Sequence, residues 1–361
     1  MRYKQSEYMQ WAKTRSRARF NLATSGVGAF PLSELGEVPP LEINGDNSYG
    51  YPPLKRAIAG RYGVDANCVV TAAGTSGANY LALATLLDAG DEVLIEHPTY
   101  GLLEDALGYV GAVVKRFART HEGGYAVDAE AVRRAVTPRT KLIVVTNLHN
   151  PSSVLTGESV LREIGEIARS VGARVLVDEV YLDAVFDQTL STAFHLGPEF
   201  VVTNSLTKVY GLNGLRCGWI LAEPALARRI WLLNDLFEVN AAHPAERLSC
   251  IALANIDVIR TRSRALLDAN RPLLNQFFAE RKDLVVRPLE FGTVAFPRLM
   301  SGPVDRFCDL LRAKYEATVV PGSFFEMPEH FRVGIATETA VLAEGLQRVG
   351  SALDEFSGRR N

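Results

Sequence analysis

Between Cys68 and Ala222 the sequence repeats one pattern, a short unbroken run of apolar and β-branched residues followed by a stretch with helical spacing. The runs are CVVTAAG, DEVLIE, AVVKRF, KLIVVTN, RVLVDEVY, FVVTNS and LRCGWILA. A strand with one face in water alternates apolar and polar residues, whereas an unbroken apolar run suits a strand covered on both faces. ANYLALATLLDAG, DAEAVRRAV and GESVLREIGEIARSVG lie between runs and carry apolar residues at helical spacing. The alternation predicts an α/β fold whose mostly parallel, seven-stranded sheet is sandwiched by helices.

The pattern changes after about Asn240, where long helical stretches are interrupted by DLVVRPLEFGTVAFPRL and FRVGIA. A smaller α+β domain is expected over residues 241–361, with the large α/β domain over 45–240. Residues 1–44 hold too little periodicity for a domain and read as an arm that joins the small domain or crosses to a partner subunit.

Composition narrows the partners. Thirty-nine Lys and Arg against 41 Asp and Glu leave a formal charge of −2, so the chain lacks the basic field a nucleic-acid or anionic-membrane binder uses. Small molecules are the expected ligands. Cys68, Cys217, Cys250 and Cys308 show neither CxxC nor metal-ligand spacing, which fits free thiols in a reducing cytoplasmic setting and no metal site. The start, MRYKQSEYMQWAKTRSRARF, is basic but lacks the apolar centre of a signal peptide, and no run approaches the roughly 18 apolar residues of a membrane span.

Ligands of open α/β sheets collect beyond the C-terminal ends of the parallel strands. Polar residues stand there together: Gly74-Thr75-Ser76-Gly77, Leu148-His149-Asn150-Pro151, Asp178-Glu179-Val180-Tyr181 and Ser205-Leu206-Thr207-Lys208. Taken in order, GTSGANYLAL, HPTYG, NLHNPSS, DEVY, SLTKVYGLNGLRCGW and FRVGIA resemble the class I/II aminotransferase family of fold-type I pyridoxal-phosphate (PLP) enzymes, over roughly residues 20 to 340.

The resemblance implies an aminotransferase that moves an amino group from an L-amino acid to a 2-oxo acid, with Lys208 holding PLP as a Schiff base. Lysine suits this because an unprotonated primary amine attacks an aldehyde, and the same amine, once freed, shifts the substrate's Cα proton. Asp178 is expected at the pyridine nitrogen, keeping the ring cationic as an electron sink, and Tyr181 and Asn150 at the ring hydroxyl. Gly74, Thr75 and Ser76, at a helix start, together with Ser205 and Arg216, are expected around the phosphate. Tyr100 is expected to stack on the ring, and Arg332 to grip the substrate carboxylate beside Gly26 and Asn150. Where the family reads Asn-Pro-Thr-Gly this chain reads Asn150-Pro151-Ser152-Ser153, which predicts a turn of altered shape.

NSYGYPPLKRAIA resembles the segment through which one subunit sends a tyrosine to its partner's phosphate, implying a homodimer with shared active sites. Tyr49 is the favoured residue and Tyr51 the alternative. Asn240 and His243 fall where the family places side-chain pocket residues; the same stretch shows no arginine of the kind dicarboxylate-specific members place near it, Arg247 being a poor candidate, which disfavours aspartate or glutamate as the first substrate. Elimination, decarboxylation or oxidation on the same scaffold shares every cofactor contact and is the competing reading. A PLP-binding transcription regulator would carry a DNA-binding domain in front, for which the segment before Asn21 is too short.

Overall fold

Every one of the seven apolar runs forms a strand of one sheet in the computed structural model, which describes residues 5–188 and 190–358. Residues 1–4 and 359–361, the outermost ends of the predicted arm and small domain, lie outside the described residues. The arm contributes helix α1 (Glu7–Thr14) and strand β1 (Phe20–Asn21). The large sheet follows, with β2 (Val69–Ala73), β3 (Glu92–His97), β4 (Val113–Ala118), β5 (Thr140–Thr146), β6 (Arg174–Asp178), β7 (Phe200–Ser205) and β8 (Cys217–Leu221) in the order β2-β8-β7-β6-β5-β3-β4. β8 runs antiparallel to both of its neighbours and the remaining pairs are parallel.

Burial explains why these runs are unbroken. Ile143, Val145, Val175 and Val177 enter one core, while Leu142, Val144 and Leu176 enter another on the opposite face. α2 (Pro52–Tyr62), α5 (Ala129–Ala135) and α6 (Glu158–Ser170) cover the first face. α3 (Gly74–Leu86), α4 (Gly101–Val110) and α7 (Pro224–Asn234) cover the second. With both pleats dry, each strand position favours an apolar side chain.

α8 (His243–Ala254) packs on α2 and β8, and α9 (Ile256–Glu280) leads into the small domain. There β10 (Val294–Ala295), β14 (Phe331–Gly334) and β13 (Val320–Pro321) form an antiparallel sheet, and β9 (Leu284–Val285) pairs with β11 (Arg298–Leu299). α10 (Val304–Tyr315) and α11 (Thr339–Phe356) pack on each other. The arm is stitched in: β1 pairs in parallel with β12 (Ala317–Thr318), and Leu22 accepts from Gly334 N at 2.7 Å.

Gly334 must be glycine, because a Cβ there would stand 1.9 Å from the Thr24 carbonyl oxygen. Gly334→Ala forces the arm off β14 and is expected to lower stability by about 1–3 kcal/mol, read from the urea midpoint at unchanged m-value.

Candidate active site

The C-terminal edge of the large sheet delivers the polar residues. β6 ends on Asp178, β7 on Ser205 and β5 on Thr146, while β2 passes directly into α3 through Gly74 at φ 71°. They surround a cavity of about 190 Å³ lined by eight of the predicted residues: Thr75, Ser76, Tyr100, Asn150, Asp178, Tyr181, Lys208 and Arg216.

Asp178 is buried at the cavity floor. Its Oδ2 accepts from Asn79 Nδ2 at 2.8 Å and its Oδ1 from the Val180 N–H at 3.0 Å, but it has no ion-pair partner among the described residues. Burial pushes its carboxyl up to about 6, against the pull of those two donors and of Lys208. Thr203 Oγ1 donates to Asn79 Oδ1 at 2.6 Å, which fixes the amide with its NH2 toward Asp178.

Lys208 Nζ donates to Ser25 Oγ at 3.0 Å, and the Tyr181 hydroxyl donates to the same oxygen at 2.9 Å. Loss of water lowers the lysine below its usual value, and the Arg332 and Arg216 cations work in the same direction, while Tyr8 and Asp178 oppose it. Gly26 lies against this lysine, where a Cβ would stand 3.4 Å from Lys208 Cα, and Val27 N donates to the Lys208 carbonyl at 2.8 Å.

At the opposite end, Thr75 Oγ1 donates to Ser205 Oγ at 2.7 Å, and Ser205 in turn donates to Thr207 Oγ1 at 2.8 Å. At the first turn of α3 the Gly74 N–H donates to the Arg216 carbonyl at 2.8 Å, and no side chain caps the N–H groups that follow, at the positive end of the helix. Arg216 crosses this turn: its Nη2 donates to the Ala73 carbonyl at 3.0 Å, and a Cβ on Gly74 would stand 2.4 Å from that nitrogen. Ser205 and Gly74 thus shape the cup from beneath and do not line it.

Asn150 and Arg332 meet directly, with Nη1 donating to the amide oxygen at 2.9 Å. Nη2 donates to the Tyr8 hydroxyl at 3.0 Å and to the Ala23 carbonyl at 3.1 Å. Behind Asn150 a buried chain holds the turn: Asn150 N donates to Thr146 Oγ1 at 3.2 Å, that hydroxyl donates to Glu96 Oε1, and Glu96 Oε2 pairs with Arg119 at 2.8 Å. Ser153 takes the left-handed conformation, φ 59°, that a glycine would favour there, and its Oγ donates to the Val294 carbonyl at 2.7 Å. The turn predicted to change shape keeps the backbone of a glycine turn, held by that side-chain bond. His149 Nε2 donates to the Pro98 carbonyl at 2.9 Å, so Nδ1 is the acceptor for Ser152 Oγ; burial keeps the ring neutral.

Other candidates lie away from this cavity in the chain. Tyr49 packs edge-on to Trp231 with Arg228 over its ring, and Tyr51 packs edge-on to His243. Asn240 is exposed, and Arg247 pairs with Glu42 at 3.4 Å. The sequence reading missed Asn79, the side chain of Ser25, Thr146, Tyr8 and Met9. Asn79 left a signal, a lone amide in the apolar stretch ANYLALATLL.

A profile described as aminotransferase class I and II matches residues 43–349. The chain belongs to this family. The aminotransferase is 28% identical to capreomycidine synthase of Streptomyces vinaceus, over 97% of this chain and 94% of that one. It is 27% identical to arginine–pyruvate transaminase of Pseudomonas aeruginosa, over 86% and 82%. Its fold superposes on a PLP-dependent aminotransferase from Streptococcus suis with a TM-score of 0.92 at 28% identity, covering 99% of both chains. It superposes on a PLP-dependent cyclase with a TM-score of 0.89 at 26% identity, covering 99% and 98%.

The cavity of the aminotransferase fits its cofactor, PLP. An uncapped helix start beside an arginine suits a phosphate, a lysine amine lowered by burial suits an aldehyde, and the buried Asp178 lacks the cation that a protonated ring nitrogen would bring.

Because folding raises the Asp178 pKa from 3.8 to about 6, the folded apoprotein binds the proton more tightly than the unfolded chain. This group therefore costs stability above pH 6, and the cost fades as pH falls toward 4. Asp178→Asn is expected to stabilise the PLP-free protein at pH 8 by on the order of 2–3 kcal/mol and to have little effect at pH 4, while weakening PLP binding. Thermal unfolding at the two pH values, with and without PLP, checks this.

Proposed function

We propose that this aminotransferase moves the amino group of an L-amino acid to a 2-oxo acid, with Lys208 as both cofactor tether and proton carrier. The observation that carries the reading is the meeting, in one cavity, of a lysine amine lowered by burial, a buried carboxylate without a counter-ion and an uncapped helix start. PLP, when bound, supplies an aldehyde carbon that combines with amines and a ring that takes up electrons from the substrate Cα.

The chain's own groups would do the rest. Asp178 would hold the ring nitrogen protonated, with Asn79 and the Val180 N–H keeping the carboxylate aimed. Thr75, Ser76 and Arg216 would hold the phosphate, with Ser205 and Gly74 supporting them from beneath, Tyr181 and Asn150 would face the ring hydroxyl, and Tyr100 would cover one ring face. Arg332 would bind the substrate carboxylate beside Gly26 and Asn150, leaving Cα within reach of Lys208 Nζ. That amine would take the Cα proton and deliver it to the carbon that PLP supplies on the far side of the substrate nitrogen.

The same reading makes the working unit a homodimer with Tyr49, or Tyr51, reaching the partner's phosphate. Its support is the exposed apolar set Ile43, Leu236, Phe237 and Val239, and a Tyr49 ring held outside its own chain's cavity. We place the division between domains beyond α8, since α8 packs on α2 and β8, with the arm joined to the small domain through the pairing of β1 with β12. Four unbridged cysteines suit the cytoplasm. A second reading, lyase-type chemistry at the same cofactor, draws on the synthase and cyclase names among relatives that span nearly the whole chain.

Titrating the PLP-loaded protein with the twenty common amino acids and ornithine-like amines, with product analysis, tests this. The expected result is a 2-oxo acid together with pyridoxamine phosphate, lost on the order of 10³-fold in Lys208→Ala. Ammonia, a decarboxylated amine or peroxide would move the enzyme to the second reading, and no PLP absorbance in the wild type would end both.

A further inference from the structure

The strongest unexplained feature beside the cavity is the aromatic edge of α1, which lies before residue 43, where the family match begins. α1 is short but well anchored. Ser6 caps it by accepting from Met9 N, Trp11 packs on Phe324 with ring centres 5.4 Å apart, and the Tyr100 hydroxyl contacts Met9 Sδ at 3.6 Å. Tyr8 is thereby held among Tyr100, Phe324 and Phe325, at ring separations of 5.5, 5.6 and 6.2 Å.

The hydroxyl of Tyr8 meets the Arg332 guanidinium, which can only donate, so the Tyr8 oxygen accepts and its own hydrogen points elsewhere. No acceptor for that hydrogen is found among the described residues. Arg332 itself is 1% exposed, has no carboxylate partner among the described residues, and its Nε has no hydrogen-bond partner. Two unspent donors on a buried cation and its neighbour suit an anion with two acceptor oxygens. Tyr8 is also near enough to Lys208 to act on its ammonium, raising the lysine against the effect of burial.

Building on the aminotransferase reading above, we propose that Tyr8 is a substrate-binding residue: its O–H donates to the same α-carboxylate that Arg332 grips, so that α1 completes the carboxylate site. A hydrogen bond to a charged group is involved, and its loss strands part of that charge. Amino acids with a free α-carboxylate are then favoured over the corresponding amines and amides by the Tyr8 hydroxyl in addition to Arg332 and its neighbours.

Tyr8→Phe keeps every ring contact and removes the hydroxyl. It is expected to raise KM for the amino acid about 10-fold, with a smaller change in kcat, and to weaken by the same factor the binding of the matching carboxylic acid that lacks the amine, read from the PLP absorbance. PLP affinity and melting temperature should match the wild type. Tyr8→Ala, which also loses the ring, should bind the acid more weakly still. An unchanged KM and acid affinity in Tyr8→Phe would overturn the proposal, and so would a loss of PLP affinity or melting temperature that accounts for the change. The wild type run alongside separates the two levels: if it forms no 2-oxo acid, the function itself is wrong and this inference falls with it, whereas a failure confined to the variant touches Tyr8 and not the reaction.

Discussion

Two opposite charges are held out of water, Asp178 in the cavity wall and Arg332 against the wall residue Asn150, and neither has a counter-ion among the described residues. Burying a lone charge is costly, and the surrounding structure is arranged to bear that cost without neutralising either group. Asp178 receives two N–H donors, from Asn79 and Val180, and its carboxyl still rises to about 6. Arg332 receives only neutral oxygens, from Asn150, Tyr8 and Ala23. Each charge is therefore left without a partner from its own chain; in the proposed function a ring cation meets the first and a carboxylate the second.

What keeps these charges in place is a rigid sheet edge reinforced by a buried polar chain. Arg119 and Glu96 pair with both side chains fully buried, Glu96 holds Thr146 by its backbone N–H and its hydroxyl, and Thr146 holds Asn150. Such a pair need not add stability relative to an apolar replacement, but removing one member leaves a bare charge in the interior. Its geometric effect reaches Arg332 through Asn150, so residues at the edge of the large sheet orient a side chain of β14. α1 closes the same circuit from the other side, with Met9 on Tyr100 of the large domain and Tyr8 and Trp11 on Phe324 and Phe325 of the small one.

Much of the framework was legible in the sequence because its cause is local. Strands dry on both faces must be unbroken apolar runs, so KLIVVTN and RVLVDEVY announced themselves, and the polar residues that end them could be read as the site. Ser153 shows where this reading fails. Its place in a family glycine position suggested an altered turn, yet the left-handed backbone persists because the Val294 carbonyl, 141 residues away, accepts from its hydroxyl. Asn79 and Tyr8 escaped for a related reason, since neither stands at a strand end or in a turn signature, and Ser25, beside Gly26 in a turn signature, gave no sign that its hydroxyl meets Lys208.

The sequence by itself determined the layered fold and the residue types around the cofactor, since periodicity and strand ends depend on neighbours a few positions apart. Tertiary structure decided which polar groups meet. Ser25 lies 183 residues from Lys208, Thr203 lies 124 from Asn79, and Tyr8 lies 324 from Arg332. A hydrogen bond leaves no periodic trace in the chain; it exists only when packing brings a donor within about 3 Å of an acceptor and keeps water from competing for it.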